Sequence, residues 1–255
     1  MAENNQKMIF SFETPLKQAE QLDEQQDYLF VLAQCLENPD YYRYVKNSDK
    51  MKILDNGANE QDAVSGSKLM SFAESINANI VVIPDKQFDQ NTSMNYLFEF
   101  YSRYLSNKEI VDRFDFMVVP QSNTYNGMVW YFDLLLSISR IVKSVDYIGL
   151  QFKFLRKYGL EFADYAIRKM KDYNIKPHFL GFASKEQLWY NNVVSMDTSL
   201  PINFAAVGEK LTFDRLPKGI NVWTDTVDVD LAIENMKAFK AMSKYSIPER
   251  KHYIH

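Results

Sequence analysis

The chain has 255 residues, 46% of them hydrophobic and 15% aromatic, which is enough apolar material to bury a sizeable core and to exclude disorder over most of its length. Its net charge of −4 excludes a molecule-wide attraction to nucleic acid, so phosphate contacts have to come from a local patch. The single cysteine, Cys35, excludes an internal disulfide and a multi-cysteine zinc site.

In chain order, short apolar runs alternate with helical stretches. The runs fall at 8–11, 52–54, 80–84, 116–120, 147–152, 178–182, 193–196 and 220–223. Helical periodicity covers 16–37, 94–105, 128–143, 161–173 and 229–244. Eight runs at a spacing of roughly 30 residues predict βα units and a parallel sheet, closed as an α/β (β/α)8 TIM-like barrel in one domain over 1–255. A doubly wound open sheet is the other architecture that this alternation permits. The polar start of the chain and the lack of a long apolar run predict a cytoplasmic protein with no membrane partner.

The exits of the runs carry the chemistry. They read LDNG (54–57), IPDK (83–86), VPQS (119–122), IGLQ (148–151), FLGF (179–182) and MDTS (196–199). In a parallel barrel all such exits open on one face, where active sites lie. Asp55, Asp85 and Asp197 are therefore expected at one mouth, with Gln121 beside them. Helix capping explains a lone Asp or Ser after a strand. It does not explain Gln121, Gly149 or Gly181. Carboxylates facing one cavity suit chemistry at an acetal-like carbon, one attacking while another moves protons. Metal binding is the rival use of such a group. Three histidines in the chain and no HxH or HExxH spacing make a transition-metal hydrolase the less attractive of the two.

The order of these motifs resembles the tRNA-guanine transglycosylase superfamily, especially its compact phage-encoded members that act as DNA 7-deazaguanine transglycosylases. The resemblance runs from about Lys52 to Pro201. ILDNGANE (53–60) is similar to the family segment that supplies an acid/base aspartate, which implies that role for Asp55, with Asn56 and Gly57 at the substrate. IVVIPD (80–85) and FMVVPQSNTYNG (116–127) resemble the base-reading segments, implying Asp85 and Gln121. YIGLQF (147–152) implies backbone contacts to the base at Gly149 and Leu150, and PHFLGFAS (177–184) implies cover for its flat faces. SMDTSLPINFA (195–205) resembles the segment carrying the nucleophile, Asp197. Strand alternation turns His178 to the same side as Leu180, as a base-stacking or a packing residue.

The chain departs from the tRNA-modifying members in having no Cys/His zinc subdomain and no longer arginine-rich loop after the nucleophile. The resemblance thus implies guanine exchange for a 7-deazaguanine such as preQ0 or preQ1, in DNA rather than tRNA, with no metal or organic cofactor needed. It leaves room for a homodimer or helper protein, and for host cytoplasm as the location if the protein is phage-encoded. The alternatives are a tRNA-guanine transglycosylase lacking the zinc module, a non-catalytic nucleic-acid-binding barrel subunit, and a carboxylate-based nucleoside hydrolase. Lys153, Arg156 and Lys157 follow a strand exit and are the expected backbone contacts. RKMK (168–171) reads as a solvated helix face, and ERKH (249–252) as a basic tail.

Overall fold

The computed structural model describes residues 7–57, 64–141 and 145–243. Eight short strands run parallel: β1 Ile9–Phe12, β2 Leu29–Leu32, β3 Lys52–Asp55, β4 Ile80–Val82, β5 Asp115–Val118, β6 Val145–Gln151, β7 Lys176–Leu180 and β8 Ser195–Thr198. Between and after them lie α1 Pro39–Asn47, α2 Gly66–Ile76, α3 Gln90–Phe100, α4 Lys108–Val111, α5 Tyr125–Ile141, α6 Phe152–Tyr158, α7 Glu161–Tyr173, α8 Leu200–Ala206 and α9 Val229–Met242. Ladder pairing runs β1-β8-β7-β6-β5-β4-β3-β2, a nearly closed TIM-like barrel of eight strands alternating with helices.

Strand alternation builds two cores. Phe30, Ile53, Val82, Met117, Val119 and Tyr147 pack together inside the barrel. Phe10, Leu54, Val81, Phe116, Ile148 and Phe179 face the helices. Gly149 serves the inner layer: a Cβ there would lie 2.7 Å from Leu180 Cδ1 and 3.2 Å from Met117 Sδ.

Two sequence expectations need correction. The segment 16–37 is not a helix; it forms short 3₁₀ turns around β2. Leu, Gln and Glu surround Leu29–Leu32, so local propensity favours helix there, while burial on the barrel wall decides for strand. The run 220–223 is not a strand: it lies outside the sheet, with Val222 O accepting from Leu16 N at 2.9 Å and Trp223 42% exposed. The other helices fall close to expectation. The 94–105 stretch is α3 followed by a π-helical turn at Tyr101–Leu105.

β1 and β2 stand at the two ends of the pairing order, and in place of a strand ladder one backbone hydrogen bond, from Asp27 N to Phe10 O at 2.9 Å, and several side chains bridge them. Gln26 acts as a substitute peptide unit. Its Oε1 accepts from Phe12 N at 2.7 Å, and its Nε2 donates to Phe12 O at 2.8 Å. Asp27 Oδ2 accepts from Phe10 N, and Ser11 Oγ accepts from Phe30 N, each at 2.9 Å. Lys240 of α9 in turn holds Asp27 at 2.7 Å.

Replacing Gln26 with Ala should strand a buried donor and a buried acceptor on Phe12. The expected cost is about 2 kcal/mol or more, a fall of roughly 4–8 °C in Tm for a chain of this size. Unchanged thermal unfolding in Gln26→Ala would show that the seam closes without this side chain.

Candidate active site

The strand exits converge as parallel packing requires. Asp55 ends β3, and Asp197 lies in β8, where its register partners are Leu180 on one side and Ser11 on the other. Asp85 and Gln121 stand just beyond β4 and β5. These four side chains, with Glu13 and Gln151, line one cleft of about 60 Å³ at the mouth. A larger cavity of about 380 Å³ lies next door, with Asp85 in the shared wall and Asn56, Lys86, Arg103 and Tyr104 among its other residues. The smaller space holds the carboxylate chemistry, because Asp55 and Asp197 open into it alone.

The three aspartates and Gln121 are each held by a neighbouring group. Gln121 Oε1 accepts from Phe88 N at 3.0 Å, which turns Nε2 onto Asp85 Oδ2 at 2.6 Å. Phe88 supplies that N–H from a left-handed conformation, φ 58°, a strained state for a bulky residue. Asp55 Oδ2 accepts from Gly57 N at 3.0 Å, an Asx turn. Gly57 has φ +72°, and a Cβ there would run into the Gln34 amide, so glycine is required on both counts. Asp197 accepts from the Gly181 N–H and, at 2.9 Å, meets His178 Nε2.

Burial sets the protonation of this group. It pushes Asp55 up to about 7, with the Gly57 N–H opposing and the Asp197 charge adding to the shift. It pushes Asp85 up to about 7, assisted by the Asp55 charge and opposed by Gln121. Asp197 also rises to about 7 through burial, against hydrogen bonds from its own N–H and that of Gly181. Such neighbours titrate together: a proton on one makes ionisation of the next easier. Near neutrality the cleft therefore holds both a charged carboxylate and a proton donor, the pairing that nucleophilic and general-acid roles require.

The remaining sequence candidates divide. Gly57 lines the cleft, whereas Asn56 turns into the larger cavity, 2% exposed and with no hydrogen-bond partner for Oδ1 among the described residues. Gly149 belongs to the layer beneath, and Leu150 faces the helices. His178 lies below Asp197, fully buried. Its ring stacks on Phe30 at 5.8 Å, so the face that a base would need is taken. Lys153 and Lys157 of α6 reach over the mouth loops, to Gln87 Oε1 and Asn123 O, each at 3.2 Å, and Arg156 is exposed beside them. Arg168 and Lys171 are exposed on α7, away from the cleft lining. The ERKH tail and residues 58–60 lie outside the described residues.

Gln151 and Glu13 line the cleft and were not singled out in the sequence. Both stand at strand exits, so the rule that identified Asp55 and Gln121 also reaches them. Among the described residues no group of three or more His, Cys, Asp or Glu side chains is arranged to hold a metal ion, and no helix is long and apolar enough to cross a membrane. No family model matches the chain, and no curated protein matches it.

The raised carboxylates give a pH signature. A carboxyl whose folded pKa lies above its unfolded value near 4 binds more protons when folded, so its stabilising contribution is full below pH 4 and is lost as pH rises toward 7. His178 runs the other way: burial lowers it to about 3, so stability is gained as pH rises toward the unfolded value near 6.5. Asp85→Asn should isolate one carboxyl. Wild type and variant should have similar Tm near pH 4, and the variant should be more stable at pH 8, by on the order of a few kcal/mol. Parallel Tm-versus-pH curves would mean that Asp85 is solvated in the folded protein.

Proposed function

We propose that the protein is a base-exchange transglycosylase that replaces guanine in nucleic acid, preferably DNA, with a 7-deazaguanine such as preQ0 or preQ1. The observation that carries this reading is the convergence of three buried carboxylates, each raised to about 7, on one cleft at a barrel mouth. The motif order that resembles the tRNA-guanine transglycosylase superfamily gives those carboxylates distinct parts.

Asp197, ionised, attacks C1′ of the target nucleotide. As the C1′–O bond forms, the C1′–N bond breaks and its electron pair leaves with guanine. Asp55, protonated, gives its proton to the departing ring nitrogen. In the second half the incoming base returns a proton to Asp55, its nitrogen attacks C1′, and the C1′–O bond to Asp197 breaks. Two inversions give net retention. Asp85 and Gln121 read the base edge: the N–H donors of a guanine-like ring replace Gln121 Nε2 on the Asp85 carboxylate. A cleft of about 60 Å³ holds a few waters rather than a purine, so entry of the base requires this Gln121–Asp85 contact to open.

Lys153, Arg156 and Lys157 supply the local basic rim that a chain of net charge −4 needs to meet a polyanion. Small cleft volume and acidic balance favour one other reading, a carboxylate nucleoside hydrolase acting on free nucleosides.

Incubation with duplex DNA, single-stranded DNA or tRNA plus labelled guanine distinguishes them. The expected result is label in DNA above that in tRNA, lost in Asp197→Asn although that variant folds with a Tm at or above the wild-type value. No label in any polymer, together with hydrolysis of free nucleosides, would replace exchange by the hydrolase reading. Neutralising Lys153, Arg156 and Lys157 together should weaken DNA binding and make its salt dependence shallower by about one unit of slope per lost phosphate contact. Wild-type affinity and slope in the triple variant would move the polymer to another face.

A further inference from the structure

Beneath the mouth the inside of the barrel is lined mainly by apolar side chains, and apart from Ser11 of β1 its polar side chains lie along β7 and β8. There His178 and Ser195, register partners on adjacent strands, both point into it directly below Asp197. His178 is 0% exposed, Ser195 1% and Asp197 4%. Nδ1 of the imidazole lies 2.7 Å from Ser195 Oγ, and Nε2 lies 2.9 Å from Asp197 Oδ1. Phe30 stacks on one face of the ring at an interplanar angle of 7°, and the edge of Tyr28 packs at 6.3 Å. The ring therefore cannot turn, and both of its nitrogens are committed.

Burial lowers the imidazole to about 3, so the contact with Asp197 is a hydrogen bond from a neutral ring rather than an ion pair. A neutral imidazole carries one proton for two nitrogens. An ionised Asp197 can only accept, which assigns that proton to Nε2 and leaves Nδ1 to accept from the Ser195 hydroxyl. Among the described residues, the other charged or titratable groups that share the cleft with Asp197 or face it are Asp55, Asp85 and Glu13 across the cleft and the neutral Tyr28 phenol below. None is a cation, so stabilisation of the carboxylate falls to hydrogen-bond donors.

We propose that His178 is a positioning residue: with Ser195 it forms an uncharged strut that presents Nε2–H to Asp197 Oδ1 and leaves the second carboxylate oxygen as the one available to the cleft. The strut favours the ionised form of Asp197 without bringing a counter-charge that would blunt its nucleophilicity. Ser195 acts at one remove, by fixing the tautomer. The assignment of Asp197 as nucleophile rests on the exchange reading above; the strut itself is a property of the free protein.

The test uses the full chain in three variants, with two independent readouts. His178→Leu keeps apolar packing and removes the donor, His178→Gln keeps an N–H donor near the Nε2 position, and Ser195→Ala frees the tautomer. Carbon-13 NMR follows the Asp197 carboxyl through pH in the absence of any nucleic acid, with Asp197→Asn to assign the signal. Exchange kinetics give kcat and KM separately. In His178→Leu the Asp197 carboxyl should titrate about one unit higher than in wild type, with kcat down about tenfold or more and KM little changed. Ser195→Ala should move both in the same direction by less, and His178→Gln should restore much of each. If His178→Leu does not fold, the Ser195→Ala and His178→Gln pair carries the comparison. An unmoved Asp197 titration in His178→Leu, or in Ser195→Ala where His178→Leu does not fold, overturns the strut whatever the kinetics show. A shifted titration in a protein that exchanges no base into any polymer supports the strut and overturns the exchange reading instead.

Discussion

A carboxylate that loses its hydration shell must recover the energy from hydrogen-bond donors or take up a proton, and three of them in one cleft must share whatever charge that cleft can hold. This constraint organises the mouth of the barrel. Gly57 N–H and Gly181 N–H, the Gln121 amide and His178 Nε2 are each spent on one of the three aspartates. The strained Phe88 is what orients Gln121. The polar strut through the lumen, at the cost of apolar packing there, serves Asp197. The three groups remain raised to about 7 even so, which is the range in which one can be a base or nucleophile while its neighbour is an acid at physiological pH.

The barrel supplies the geometry and the seam keeps it. Parallel strands put every C-terminal end on one face, so residues from β1 to β8 that are far apart in the chain meet within one small cleft. Closure has to be good enough for the register to hold there. Between β1 and β2 a single backbone bond, Asp27 N to Phe10 O, and the side chains of Gln26, Asp27 and Ser11 stand in for a backbone ladder. Ser11 is also the register partner of Asp197. The side-chain seam therefore lies one strand away from the carboxylate on which the proposed chemistry depends, and looseness in one would be felt by the other.

Much of this was legible in the sequence because strand exits are marked by a change of residue type. LDNG, IPDK, VPQS and MDTS each stop an apolar run with a polar side chain, and all four contribute to the cleft. What stayed hidden did so for physical reasons. β2 is a four-residue strand buried between helix-forming neighbours, and only pairing with β3 makes it a strand. The apolar run at 220–223 lacks a partner strand and stays outside the sheet. IGLQ drew attention to Gly149 and Leu150, but β6 runs on to Gln151, and alternation then sends Leu150 outward and Gln151 to the cleft. Glu13 follows the same exit rule at β1. The signal for the strut was present too: His178 and Ser195 are polar residues inside apolar runs, a costly choice that asks for a partner, and the partner is Asp197.

The most direct test of the account is to trap the intermediate and find where it is attached. A guanine-containing DNA oligonucleotide incubated with the protein, quenched in acid and digested, should yield a peptide spanning Ser195–Thr198 that carries the nucleotide through Asp197, with guanine released in equal amount. Asp197→Asn should give neither adduct nor guanine. Base exchange that proceeds with no adduct, or an adduct carried by Asp55 or Asp85, would contradict the roles assigned to the three carboxylates.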